Sequence, residues 1–185
     1  MESTTTILFD KNGVTFSKVA LNHYNAVFSI ENDNLYLPSI ITFDFIKSIY
    51  DLSPDIFEHV NLVKINENEA IVTLLIKHLF QEIGMPQKFL HLHMMKVETA
   101  GTITFLAVTI YSERPVNIPA DAELMILNKM TTACEIVSPH NIKIVNDIVL
   151  DDGRTIQSYV EKFIGTILAK IFKRVKQFIE NTRIP

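Results

Sequence analysis

The C-terminal stretch constrains this chain more than any other feature. From Thr155 to Asn181, Ile164, Ile167, Leu168, Ile171, Phe172 and Val175 belong to a run of apolar residues at helical spacing. The spacing predicts one long amphipathic helix with a broad apolar face. Such a helix gains most of its stability from the surface that its apolar side covers, so the rest of the chain must supply that surface. At about 100° per residue, Lys162, Lys173 and Lys176 fall opposite the apolar face, and Lys170 and Arg174 lie toward its flank. Three roles stay open for this basic side: a solvated face over a core, a track for an anionic polymer, or a docking face for a membrane or partner helix.

Charge is distributed unevenly. The net charge of −4 conceals a C-terminal segment, residues 154–185, with seven Lys or Arg and two Glu, a net +5. Residues 1–153 hold ten against nineteen, a net −9. A boundary at Asp151-Asp152-Gly153 therefore parts an acidic body from a basic helix. The 185 residues fit one domain or two small units sharing a core, and 48% apolar residues exclude a disordered tail protein. One cysteine excludes a disulfide framework and suits a reducing compartment. The chain lacks the layout of a signal peptide or a membrane span, which leads us to expect a soluble, unprocessed protein.

Within the body, Thr5–Phe9 and Val14–Ser17 flank Asn12-Gly13, a strong two-residue hairpin signal. Ala26–Ile30 adds a strand, giving a small N-terminal sheet of three or four strands. Helices are then predicted from Thr42 to Asp51, from Asp55 to about Val60 behind Ser53-Pro54, and from Asn66 to Gly84. In the last of these, Asn66 and Glu69 form a capping pair, and Ala70, Leu74, Leu75, His78 and Leu79 share a face. Strand patterns return at Phe89–Met94, Thr102–Tyr111, Leu124–Leu127, Cys134–Val137 and Ile142–Leu150, which predicts a second antiparallel sheet. The expectation is an α+β fold in three parts. Residues 1–86 form a hairpin plus helical module, 87–153 a mostly β region, and 154–185 the basic amphipathic helix.

No catalytic motif stands out. His91 and His93 share one side of a strand and could bind zinc or copper, but His78, Cys134 and His140 supply no recognised ligand spacing; half-buried strand histidines are the simpler reading. Cys134 lies in no nucleophile motif and reads as a small buried hydrophobe. Asp147, Asp151 and Asp152 could hold a divalent cation, though Asp-Asp-Gly before a helix is first a turn. Neither a GxGxxG nor a Walker loop is present. We expect no enzyme, no cofactor and no metal.

A family likeness rests on Ser48-Ile49-Tyr50-Asp51, Ser53-Pro54-Asp55-Ile56, Glu58-His59, Glu69-Ala70, Thr73-Leu74 through Lys77, Met85-Pro86, Met94-Met95 and Pro119-Ala120-Asp121-Ala122-Glu123-Leu124. Over about residues 25–128 the chain resembles the plant tenuivirus non-structural proteins that suppress RNA silencing. The resemblance implies a homodimeric, largely helical N-terminal module that sequesters short double-stranded RNA in the host cytoplasm or nucleus. Lys77 would contact a phosphate from the third helix. Asp51-Leu52-Ser53 replaces the Arg and His that the family carries between its first two helices, and cannot supply those contacts. Lys88, Lys170, Lys173, Arg174 and Lys176 are further candidates for the anionic partner. A host silencing protein is another possible partner under this reading, and membrane contact stays open. The alternative is a small viral matrix-like or minor capsid protein acting through self-association.

Overall fold

In the computed structural model, residues 5–79, 81–111, 114–151 and 158–183 are described. The Asn12-Gly13 pair turns the chain as its composition predicts. Both residues take positive φ, 58° and 72°, and connect β1 (Thr6–Lys11) to β2 (Val14–Ala20). β3 (His23–Glu31) follows, and a turn of 3-10 helix, Leu37–Ile40, occupies the place of a fourth strand. α1 (Phe43–Asp51) starts where Thr42 Oγ1 accepts the Phe45 N–H at 3.4 Å, and it buries Phe43, Phe45, Ile46 and Ile49.

The next two predicted helices are strands. β4 (Phe57–Asn66) and β5 (Glu69–Ile76) form a hairpin. Asn66, read as a helix cap, instead accepts the Asn68 N–H at 2.8 Å and closes the hairpin turn. The β-branched residues Val60, Val63, Ile65, Ile71, Val72, Thr73 and Ile76 favour the pleated backbone. Ala70–Leu75 is a short apolar run with both faces covered, for which periodicity alone cannot separate strand from helix.

The chain continues through β6 (Lys88–Thr99), β7 (Thr102–Thr109), the two-residue β8 (Glu123–Leu124), β9 (Leu127–Ser138) and β10 (Asn141–Leu150) to α2 (Ser158–Asn181). Thr155–Gln157, the predicted start of the last helix, lies outside the described residues. All ten strands join one sheet in the order β1-β2-β3-β10-β9-β7-β6-β5-β4, with β8 parallel to β6. The two sheets expected from sequence are therefore one, joined where β3 pairs antiparallel with β10, Ala26 opposite Asn146.

Alternation gives the sheet an apolar inner face. Phe16, Ala26, Phe28, Ile144, Cys134, Phe105, Met94 and Val72 are all buried there. α2 packs across β1, β2, β3 and α1, with Phe172 stacked on Phe28 at 5.0 Å. α1 packs on β4 and places Phe43 edge-on to Phe105 at 5.6 Å. A smaller apolar cluster, Leu75, Phe89, Ile118 and Ala122, lies apart from this core.

Candidate functional site

The strand register sets the middle of the inner face. One row crosses it as Phe16, Ala26, Asn146, Thr132 and Phe105, from β2 to β7. α2 covers the β1–β3 end of that row, and α1 reaches Phe105 at the other. The centre falls between these two contacts. Ala26 and Phe105 are 0% and 1% exposed, whereas Asn146 keeps 5%, Thr132 8% and the neighbouring Ile148 9%.

Asn146 is the anomaly of this face. It takes a position that Ile142, Ile144 and Ile148 otherwise fill along β10. Its Nδ2 donates to Thr132 Oγ1 at 2.5 Å, and its Oδ1 is buried without a hydrogen-bond partner. Leaving such an oxygen unpaired costs about 1–3 kcal/mol, which a leucine would avoid. Thr109, also on this face, is satisfied by the backbone of Leu127, donating at 3.0 Å and accepting at 2.7 Å.

A second polar group ties α2 to the sheet. Glu161, buried in the first turn of the helix, accepts from Lys18 Nζ at 2.5 Å and from Tyr24 Oη at 2.7 Å. Burial alone would raise the Glu161 pKa, but the bonds from Lys18 and Tyr24 outweigh it and hold the carboxyl below its usual range. One turn further on, Gly165 lets the helix backbone meet the sheet. A methyl group built on it would stand 3.0 Å from Phe16 Cδ1 and 3.8 Å from Leu8 Cβ. At the far end Asn32 Nδ2 donates to the carbonyls of Ile179, at 2.5 Å, and Thr182, at 2.9 Å, pairing acceptors at the helix end.

Of the basic residues singled out in the sequence, Lys170 and Arg174 meet on one carboxylate, and Lys77 and Lys88 lie outside α2. Lys77 follows the end of β5 instead of standing on a helix; its amide bonds the Ile56 carbonyl at 2.8 Å and its side chain is exposed. Lys88 pairs with Glu123 at 2.7 Å. Lys170 meets Asp55 at 2.5 Å, and Arg174 binds the same carboxylate. The Arg174 and Lys170 bonds hold Asp55 well below the usual carboxylate range. Lys176 donates to the Ser29 carbonyl and to Glu180, both at 2.6 Å, and Lys173 is half-buried. Much of the positive charge on α2 is thus used inside the fold.

Among the described residues no group of three or more His, Cys, Asp or Glu side chains could hold a metal ion. His91 bonds Thr73 at 2.9 Å, and His93 stands 3.5 Å from Glu69. Burial pushes the Cys134 thiol up to about 12, far from the thiolate a nucleophile needs. Two open clefts of about 420 and 480 Å³, at the opposite end of the sheet from the start of α2, share Thr42 and Lys96, and Lys96 is already paired with Glu98 at 2.7 Å.

No family model and no curated protein matches the sequence. Solved structures do match. The human StarD13 (DLC2) lipid transfer and protein localization domain is 10% identical, with a TM-score of 0.71 over 97% of this chain and 91% of that one. The chain shares that fold. Human StAR-related lipid transfer protein 5 is 13% identical, with a TM-score of 0.69 over 97% and 88% of the two chains. A STAR-related lipid transfer protein from Xanthomonas axonopodis is 10% identical, with a TM-score of 0.69 over 95% and 98%.

These matches overturn the functional expectation drawn from the sequence. The implied silencing suppressor, a dimer built on a helical module that sequesters short duplex RNA, and its matrix-like or capsid alternative both give way to a fold of lipid-transfer domains. The geometry agrees. The segment expected to present Lys77 from a helix is a hairpin of the continuous sheet. Asn146, Thr132 and Glu161 were missed as site residues. A single polar residue in the apolar phase of Ile142–Ile148 was the signal available for Asn146.

Proposed function

We propose that the protein binds a single lipid molecule between α2 and the inner face of the sheet and carries it without covalent chemistry. The observation that carries this reading is the build of the interior: one continuous apolar sheet face, capped by a helix that packs chiefly on its first three strands and α1. The likeness to lipid-transfer domains supports it. Apolar surface of this kind is the ordinary lining of a small-molecule site, with a few placed polar groups fixing orientation. In this structure Phe16 lies directly beneath Gly165 and fills the gap between α2 and β2. Admission of an acyl chain therefore requires α2 to lift from β1 and β2. The Lys18–Glu161–Tyr24 contact is the polar tie it must break near the start of the helix.

The test is uptake from membranes. Purified protein is incubated with vesicles of mixed neutral lipids and phospholipids, separated from them, and weighed by native mass spectrometry. The reading predicts a population carrying one lipid per chain. Protein recovered only in its bare mass, across all lipids offered, would refute it.

A further inference from the structure

Resting on the lipid-binding reading above, we propose that the bound lipid is uncharged and carries a free hydroxyl, which Asn146 and Thr132 hold at the centre of the inner face. The Asn146 carboxamide has two polar ends, and one of them meets Thr132. Whichever way the amide is turned, the other end remains buried and unpaired. With Oδ1 open, a ligand O–H can donate to it. The same ligand oxygen can take the proton that Thr132 Oγ1 still has to donate, since Thr132 accepts from Asn146. A hydroxyl both donates and accepts, and so satisfies the pair in either arrangement. An ether or ester oxygen only accepts and leaves Oδ1 unpaired.

Charge argues in the same direction. From β2 to β7 the row around Asn146 and Thr132 is otherwise Phe16, Ala26 and Phe105; its next member, Lys96 on β6, lies three strands from Asn146 and is already paired with Glu98 at 2.7 Å. Lys18, one row away, is already bound to Glu161 at 2.5 Å. A phosphate or carboxylate placed at Asn146 would be buried without a counter-charge, which proteins avoid. Nor could an anion accept a proton from Oδ1, which has none to give. The site thus favours a neutral alcohol headgroup over an anionic one.

The experiment offers three probes of matched acyl chains from phosphatidylcholine vesicles: 1,2-dioleoylglycerol, its 3-O-methyl ether, and dioleoyl phosphatidic acid. Uptake is read by native mass spectrometry. Wild-type protein is expected to take up the alcohol roughly five- to tenfold more than the ether, the value of one buried neutral hydrogen bond, and the acid least. Asn146→Leu, similar in volume and free of the buried unpaired oxygen, should bind alcohol and ether alike with no loss of thermal stability. Thr132→Val serves as an independent second variant and should narrow the same difference. Equal uptake of alcohol and ether by the wild type, preference for the acid, or discrimination unchanged in both variants would overturn the proposal while the lipid-binding reading stands. Uptake of none of the three probes, or of any phosphatidylcholine, would instead remove that reading and the proposal with it.

Discussion

At the scale of single residues, Lys88, Lys170, Arg174 and Lys176, four of the cations that looked like a binding surface, are paired within the fold. Asp55, in the link between α1 and β4, holds both Lys170 and Arg174 of α2. Its carboxyl is more acidic in the folded chain than in the unfolded one, where about 3.9 applies. As pH falls, the unfolded chain therefore takes up the proton first. The stabilisation is complete above about pH 5 and is lost as pH drops through 4 and below. Urea unfolding of Asp55→Asn at several pH values should give a shallower fall in stability between about pH 5 and 2 than wild type; an identical slope would mean the tie is inert. Gly165 is a residue of a different kind, since a side chain there meets the Phe16 ring. Gly165→Leu should cost about 1–3 kcal/mol of stability through overpacking, read as a lower midpoint in chemical unfolding.

The elements differ in how far the sequence disclosed them. Asn12-Gly13, the Thr42 cap and the β-branched run Thr102–Tyr111 each combine a local signal with a local structure, and appear as expected, the last as a strand that ends at Thr109. The β4–β5 hairpin misled because its decisive contacts are not local. Val72 faces Leu92, and Leu74 faces Leu90, from a strand that follows only after the loop to β6. Without those partners, Ala70, Leu74 and Leu75 satisfy helical spacing as well as strand burial. For α2 the apolar face was legible and its partner was not. That partner is the first hairpin and β3, joined to the helix by hydrogen bonds between residues 137 to 149 apart in the chain. The two ends of α2 are held differently, by Glu161 at its start and by Phe172, Val175 and Ile179 in the core nearer its end. Glu161→Gln removes the charge from the buried tie to Lys18 and should cost about 2 kcal/mol. It should also speed amide exchange over residues 160–166 while leaving 172–179 protected. Uniform acceleration along the helix would show that the two halves open together.

For the whole molecule, the separation of charge between body and C-terminal helix takes on a new meaning. Acidic Asp55 in the body meets basic Lys170 and Arg174 on the helix, and basic Lys18 in the body meets acidic Glu161. The asymmetry of −9 and +5 thus contributes to holding the helix through Asp55, while the Lys18–Glu161 pair runs in the opposite sense. The α+β class and the final helix were legible in the sequence. The single sheet was not, because it depends on β3 pairing with β10 across more than a hundred residues. The polar centre of the site was legible only as one asparagine out of place among isoleucines. Its importance depends on that fold, since β3 and β9 bring Ala26 and Thr132 beside Asn146.

If a lipid enters beneath α2, fastening that helix to the sheet must stop it. A Cβ on Gly165 would lie 3.8 Å from that of Leu8, the usual separation across a disulfide, with the Phe16 ring yielding by a few tenths of an ångström. In the double variant Leu8→Cys, Gly165→Cys, lipid uptake from vesicles is measured before and after reduction. The account predicts no uptake in the oxidised protein and uptake of one lipid per chain once the bond is reduced. Equal uptake in both states would contradict it.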